Sequence, residues 1–149
     1  MSAPTTAMPS GPTEPMTGPA LGLTIAEAAE RTGLTPHTLR YYERDGLMLR
    51  EVGRSPTGHR RYTENDLAWI ELISCLRATG MPIRDVRRYA ELVRQGDATE
   101  PQRLDMLRVH RRLVLAQLAE VTEHLGAVDR KIGIYVDRVA RAGSAPASP

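Results

Sequence analysis

Between Arg31 and Tyr62 the chain places seven arginines (Arg31, Arg40, Arg44, Arg50, Arg54, Arg60 and Arg61) against Glu43, Asp45 and Glu51. A second group, Arg77, Arg84, Arg87 and Arg88, faces a single Asp85. Guanidinium groups are planar, permanently charged donors that match phosphate oxygens two at a time. The chemistry this pattern offers is polyanion binding rather than bond-making. The net charge of +2 says little, because acidic residues elsewhere nearly cancel the clusters; their distribution is the signal. A solvated mixed-charge surface is the alternative. The single lysine means that the arginine bias also reflects composition.

No paired carboxylates, nucleophile–base set or phosphate-cradling glycine loop occurs where a cleft could enclose them, so the reading is a non-enzyme. One cysteine excludes an internal disulfide framework and a cysteine-rich zinc site. His110 and His124 lie too far apart on one helix to share a metal. No metal and no cofactor are expected.

Thr24 can cap a first helix, with Glu27 completing a capping box; Thr32-Gly33 stops it and Leu34 plugs the turn. Thr35 caps a second helix beginning at Pro36, where the missing N–H costs nothing, and running to about Arg44. Helix, glycine turn and helix in this space is helix-turn-helix spacing. Leu49–Val52 and His59–Tyr62 read as two short strands around the turn-rich Gly53–Gly58, a hairpin wing whose alternative is a loose linker. Thr63 and Asp66 open a third helix with Leu67, Ile70, Ile73 and Leu76 inward, ended by Gly80. Pro82 restarts a fourth, turning Ile83, Val86, Tyr89, Ala90 and Val93 to the core.

The last helix starts near Pro101 with a stripe of Leu104, Leu107, Arg111, Val114, Leu118, Val121, Leu125, Val128, Ile132, Tyr135 and Val139. Alternating three–four spacing over five heptads is coiled-coil spacing, and a helix folded back on its own domain is the alternative. Leu107, Val114, Leu118, Val121, Leu125, Val128, Ile132 and Tyr135 are the expected dimer seam. The stripe does not say whether the two strands run parallel or antiparallel. The fold class is therefore mainly α: a winged helix-turn-helix domain over 21–96, then a dimerisation helix over 101–141.

Within the second helix, Leu39 and Tyr42 suit the buried side. His37 and Thr38, nearest its start, suit base reading; Arg40 and Tyr41 suit the phosphate backbone, which sets register without reading sequence. Thr35, Arg44, Arg54, Arg60, Arg61 and Tyr62 complete the expected DNA-contacting set. Alternation along a strand predicts that only one of Arg60 and Arg61 points at DNA. Arg54, at the loop, either reaches a minor groove or stands in solvent.

Thr24-Ile25-x-Glu27-Ala28-Ala29-x-x-Thr32-Gly33-Leu34-x-x-x-Thr38-Leu39-Arg40-Tyr41-Tyr42-Glu43-x-x-Gly46-Leu47 resembles the opening of the MerR family of bacterial transcription regulators. Arg54-x-x-x-Gly58-x-Arg60-x-Tyr62 is similar to its first wing, and Ile73-x-x-Leu76-Arg77-x-x-Gly80 with Ile83-x-x-Val86 to its third helix and second wing. The resemblance covers residues 23 to about 94, and the final helix matches in kind. It implies an antiparallel coiled-coil homodimer on a pseudo-palindromic operator, bending and untwisting promoter DNA so that RNA polymerase holoenzyme engages both hexamers.

The same resemblance bears on an effector. Residues 95–105 and 138–149 lack the cysteines that metal-sensing relatives carry, and nothing after the coil would form a drug pocket. Lys131-Ile132-x-x-Tyr135 resembles short members that answer aldehydes and other electrophiles. Cys75, beside the Ile73/Leu76 stripe, reads first as a buried inert thiol and second as a thiol sensor for such a small-molecule effector.

The proline-rich stretch 1–20 and residues 142–149 read as disordered tails. No apolar run spans a bilayer and no apolar leader core is seen, so a cytoplasmic protein without membrane contact is expected. A nucleoid-associated dimer of low sequence preference is the competing function, and a protein-binding adaptor a more distant one.

Overall fold

A computed structural model describes residues 22–146. The expected tail 1–20 and residues 147–149 lie outside the described residues. The elements are α1 (Ile25–Thr32), α2 (Pro36–Arg44), β1 (Gly53–Arg54), β2 (Arg60–Arg61), α3 (Glu64–Ala78), α4 (Ile83–Arg94), a 3₁₀ turn (Asp97–Thr99) and α5 (Glu100–Gly143). The last helix thus overruns the expected boundary at 141, because Ala142 and Gly143 continue its hydrogen-bonded turn.

The first three helices each begin where a threonine can satisfy free N–H groups, whereas α4 follows Pro82 without a side-chain cap. Thr24 and Glu27 close a reciprocal pair of hydrogen bonds at 3.2 and 2.8 Å, and Thr63 and Asp66 do the same at 3.1 and 2.9 Å. Thr35 Oγ1 accepts from the Thr38 amide at 3.1 Å, with Pro36 in the first turn. Gly33 adopts φ 69°, a left-handed corner that an L side chain resists, and this turns α1 into α2.

Ala28, Leu39, Leu47, Leu67, Ile70, Ile73 and Val86 form a core shared by α1 through α4. Trp69 joins three parts of it. Its ring stacks on Tyr89 of α4 with centroids 5.8 Å apart, and its Nε1 donates to the Leu47 carbonyl just beyond α2 at 2.7 Å.

The wing is antiparallel, with Gly53 opposite Arg61 and Arg54 opposite Arg60. Its first strand is not Leu49–Val52 as the sequence pattern suggests. Met48 and Val52 are buried, and Arg94 of α4 donates to the carbonyls of Gly46 and Met48, so that stretch hugs the core. Pairing starts only at Gly53. Leu23 adds a bridge to Tyr62, both backbone bonds measuring 2.8 Å. A Cβ on Gly22 would stand 2.6 Å from the Tyr62 carbonyl oxygen, so this approach requires glycine.

α5 contains 44 residues, about 66 Å at 1.5 Å per residue. Its root is anchored at home: Met106 and Leu107 pack against the core, and His110 Nε2 meets Thr79 Oγ1 at 2.7 Å. Leu107, expected in the dimer seam, therefore lies half-buried against its own domain, since the first turns of α5 run along α4. Further on, Leu118, Val121, Leu125, Val128, Ile132, Tyr135 and Val139 are each 53–72% exposed in the single chain. No helix among the described residues is long and apolar enough to cross a membrane.

Candidate nucleic-acid interface

The exposed face of α2 and the wing lie side by side. His37, Arg40 and Arg44 are exposed along α2, and Leu39 and Tyr42 are buried on its other side, as a three-residue offset along one helix face requires. Thr35 is exposed but committed to capping. Its hydroxyl lies 3.0 Å from that of Thr38, which is half-buried. The start of α2 thus presents two linked hydroxyls, with Pro36 lacking an N–H and the Thr38 and Leu39 amides already bonded to Thr35.

Between the N-terminus of α1 and the wing is a shallow groove of about 370 Å³, lined by Thr24, Ile25, Arg40, Gly58, His59, Arg60 and Arg61. Strand alternation predicts that only one of Arg60 and Arg61 faces DNA; both line the groove and both are partly exposed. Arg61 Nε is buried and has no hydrogen-bond partner among the described residues.

Arg54 neither hangs in solvent nor extends freely. Its Nη1 donates to the Gly58 carbonyl at 3.0 Å, and its Nη2 stands 3.7 Å from Glu43 Oε1. The other oxygen of Glu43 accepts from Arg60 Nε. One carboxylate in the last turn of α2 therefore ties both wing strands to the recognition helix.

One expected contact needs correction. Tyr62 is 1% exposed, and its hydroxyl is buried without a hydrogen-bond partner among the described residues. The Leu23 bridge carries this residue inward, so its ring is core and not interface. Burial pushes its phenol up, Glu43 adds to that, and Arg60 and Arg40 oppose it. Tyr41 is half-buried, packed on the core and tilted against Tyr42 with centroids 6.1 Å apart.

Cys75 is exposed, not a buried thiol. Two positions beyond Ile73 is about 200° around a helix, which turns the side chain away from the stripe.

The other end of α2 is held by α4. Arg87 donates to Asp45 Oδ2 through both Nε, at 2.9 Å, and Nη2. The Arg87 guanidinium beside Asp45 holds its carboxyl below the usual carboxylate range; burial opposes this and Tyr41 assists it. The Arg87 guanidinium is raised in turn, chiefly by its hydrogen bond to Asp45. Glu43, Asp45, Arg87 and Arg94 are not evident as site-building residues in the sequence, since their partners lie 11 to 48 positions away and leave no local pattern.

A recognition helix with a flanking wing, seated on a four-helix unit that continues into a long helix, defines a helix-turn-helix transcriptional regulator. The family model described as MerR HTH family regulatory protein matches residues 23–92. An uncharacterized HTH-type transcriptional regulator of Haemophilus influenzae is 40% identical over 112 residues, 75% of this chain and 82% of that protein. AdhR of Bacillus subtilis, also an HTH-type transcriptional regulator, is 44% identical over 85 residues, 57% of this chain and 60% of that protein.

Among solved structures, HiNmlR, a MerR family regulator lacking the sensor domain and bound to promoter DNA, is 39% identical. It superposes with a TM-score of 0.70 over 78% of this chain and 92% of that one. A MerR family transcriptional regulator from Bacillus thuringiensis is 31% identical, with a TM-score of 0.68 over 76% and 98%. The chain belongs to the MerR family of HTH transcriptional regulators, a DNA-binding and non-enzymatic family.

Proposed function

We propose that this regulator acts as a homodimer on a pseudo-palindromic promoter operator. The supporting observation is the pairing of a basic recognition face with a 44-residue helix whose apolar stripe is exposed in the single chain. Contiguous apolar surface of this kind is stabilised by a partner, and a second copy supplies the same stripe. Antiparallel pairing over α5 would carry the two recognition faces to opposite ends of the coil. His37 and Thr38 then read base edges, and Arg40, Arg44, Arg54, Arg60 and Arg61 hold phosphates. Thr35 helps by capping α2 and fixing the start of the recognition helix.

Bending and untwisting a promoter costs on the order of 1–6 kcal/mol, which paired backbone clamps can offset through released counterions. RNA polymerase holoenzyme is the partner that would use the distorted spacer. The exposed Cys75 is the thiol through which an electrophile would act, and a serine variant with an unchanged response to a thiol-reactive aldehyde removes that part.

The test is to select duplexes from a random-sequence pool with the purified protein. Footprinting and sedimentation of the winner follow. One protected palindrome carrying two copies supports the reading. Diffuse protection supports a nucleoid-type coat, and a monomer on DNA overturns the dimer.

A further inference from the structure

We propose that Glu43 is a specificity-determining residue of the duplex-binding face, a fixed negative charge that caps the wing and limits its grip on arbitrary phosphates. The inference rests on the duplex reading above. Glu43 occupies a place where two separate effects disfavour a carboxylate. It lies in the last turn of α2, where the helix dipole opposes negative charge, and on a face that meets a polyanion. Anchoring the wing would need only a neutral acceptor.

What the charge adds is neutralisation. The Glu43 side chain is 18% exposed, and its two oxygens address Arg60 Nε and Arg54 Nη2 together. Arg40 and Arg44, on the same face, make no ion pair among the described residues. The wing is thus held at reduced positive charge while α2 keeps its full complement. Off-sequence binding comes almost wholly from phosphate neutralisation, whereas operator binding adds base contacts from α2. A capped wing therefore lowers the background more than the selected complex. On the operator, register already brings the terminal nitrogens of Arg60 to one phosphate. On arbitrary DNA, an uncapped guanidinium follows whichever phosphate is nearest.

Glu43→Gln separates charge from shape, because the amide oxygen still accepts from Arg60 Nε. Affinity is measured from 50 to 300 mM salt for two probes: a random-sequence duplex and the duplex selected by the wild-type protein. For the random duplex, E43Q should steepen the log–log salt slope by about 0.9, which is roughly eightfold tighter binding at 0.1 M. The selected duplex should tighten by less than about threefold, and Arg60→Gln in the E43Q background should abolish the random-duplex gain. An unchanged random-duplex slope, or equal gains on both probes, overturns the proposal. So does a uniform loss accompanied by a lower melting temperature, which would make Glu43 a wing anchor alone. A wild-type protein that binds neither probe would instead sink the duplex reading itself.

Discussion

Tyr62→Phe separates the core from the interface in one substitution. The Tyr62 ring is 1% exposed and its hydroxyl, in the folded chain, has no hydrogen-bond partner among the described residues. A hydroxyl taken from water without a partner costs about 1–3 kcal/mol. Removing it leaves a void of roughly 10–15 Å³, which costs about 0.3 kcal/mol at the usual cavity rate. The ring and its packing are retained. The net expectation is a gain of about 1 kcal/mol. Urea melts at one fixed protein concentration measure it, with Trp69 as the only tryptophan in the chain. Operator affinity is read beside stability and should not move. A loss of 1 kcal/mol or more refutes the argument, because the hydroxyl would then have a partner such as a bound water. Weakened duplex binding at unchanged stability refutes it differently, by returning Tyr62 to the interface.

Three further outcomes follow from the same structure. Leu118→Glu or Leu125→Glu should give a monomer by sedimentation at micromolar concentration, since both lie mid-stripe and are more than half exposed on the single chain. Arg40→Ala should weaken binding to all duplexes and flatten the salt slope by about 0.9, whereas His37→Ala should change base preference at one position by about 1–3 kcal/mol. Asp45→Asn should destabilise the fold in a pH-dependent way. The carboxyl is held below its ordinary value of 3.8, so the ion pair with Arg87 stabilises above that pH and is lost as pH falls through the folded value. Denaturation at pH 6 should separate the variant from wild type, and the gap should narrow as pH is lowered from about 4 toward and past the folded value; a constant gap contradicts the linkage.

Features that depend on neighbours in sequence were legible in it. The capping boxes at Thr24 and Thr63 and the corner at Gly33 stand where spacing alone places them, because each is closed by residues three positions apart or fewer. The stripe along α5 is legible because a long helix repeats its phase many times. The wing was less so. Two-residue strands carry too little alternation to say which side chain turns inward, and Tyr62, beyond the strand, is turned into the core by its bridge to Leu23. Cys75 shows the limit of adjacency, since it follows Ile73 by two positions and so lies about 200° around α3 from that buried side chain. The ties that hold α2 in place, from Glu43 to the wing and from Asp45 to α4, cross from one element to another. Only the packed chain brings those partners together.

Trp69 has a consequence for experiment. Its indole sits on Tyr89, and its nitrogen is bonded to the backbone just past the recognition helix. Being the sole indole, it makes intrinsic emission a label-free gauge of the joint between α2, α3 and α4. A spectral shift on adding duplex would register strain at that joint rather than surface quenching, because the ring is 8% exposed.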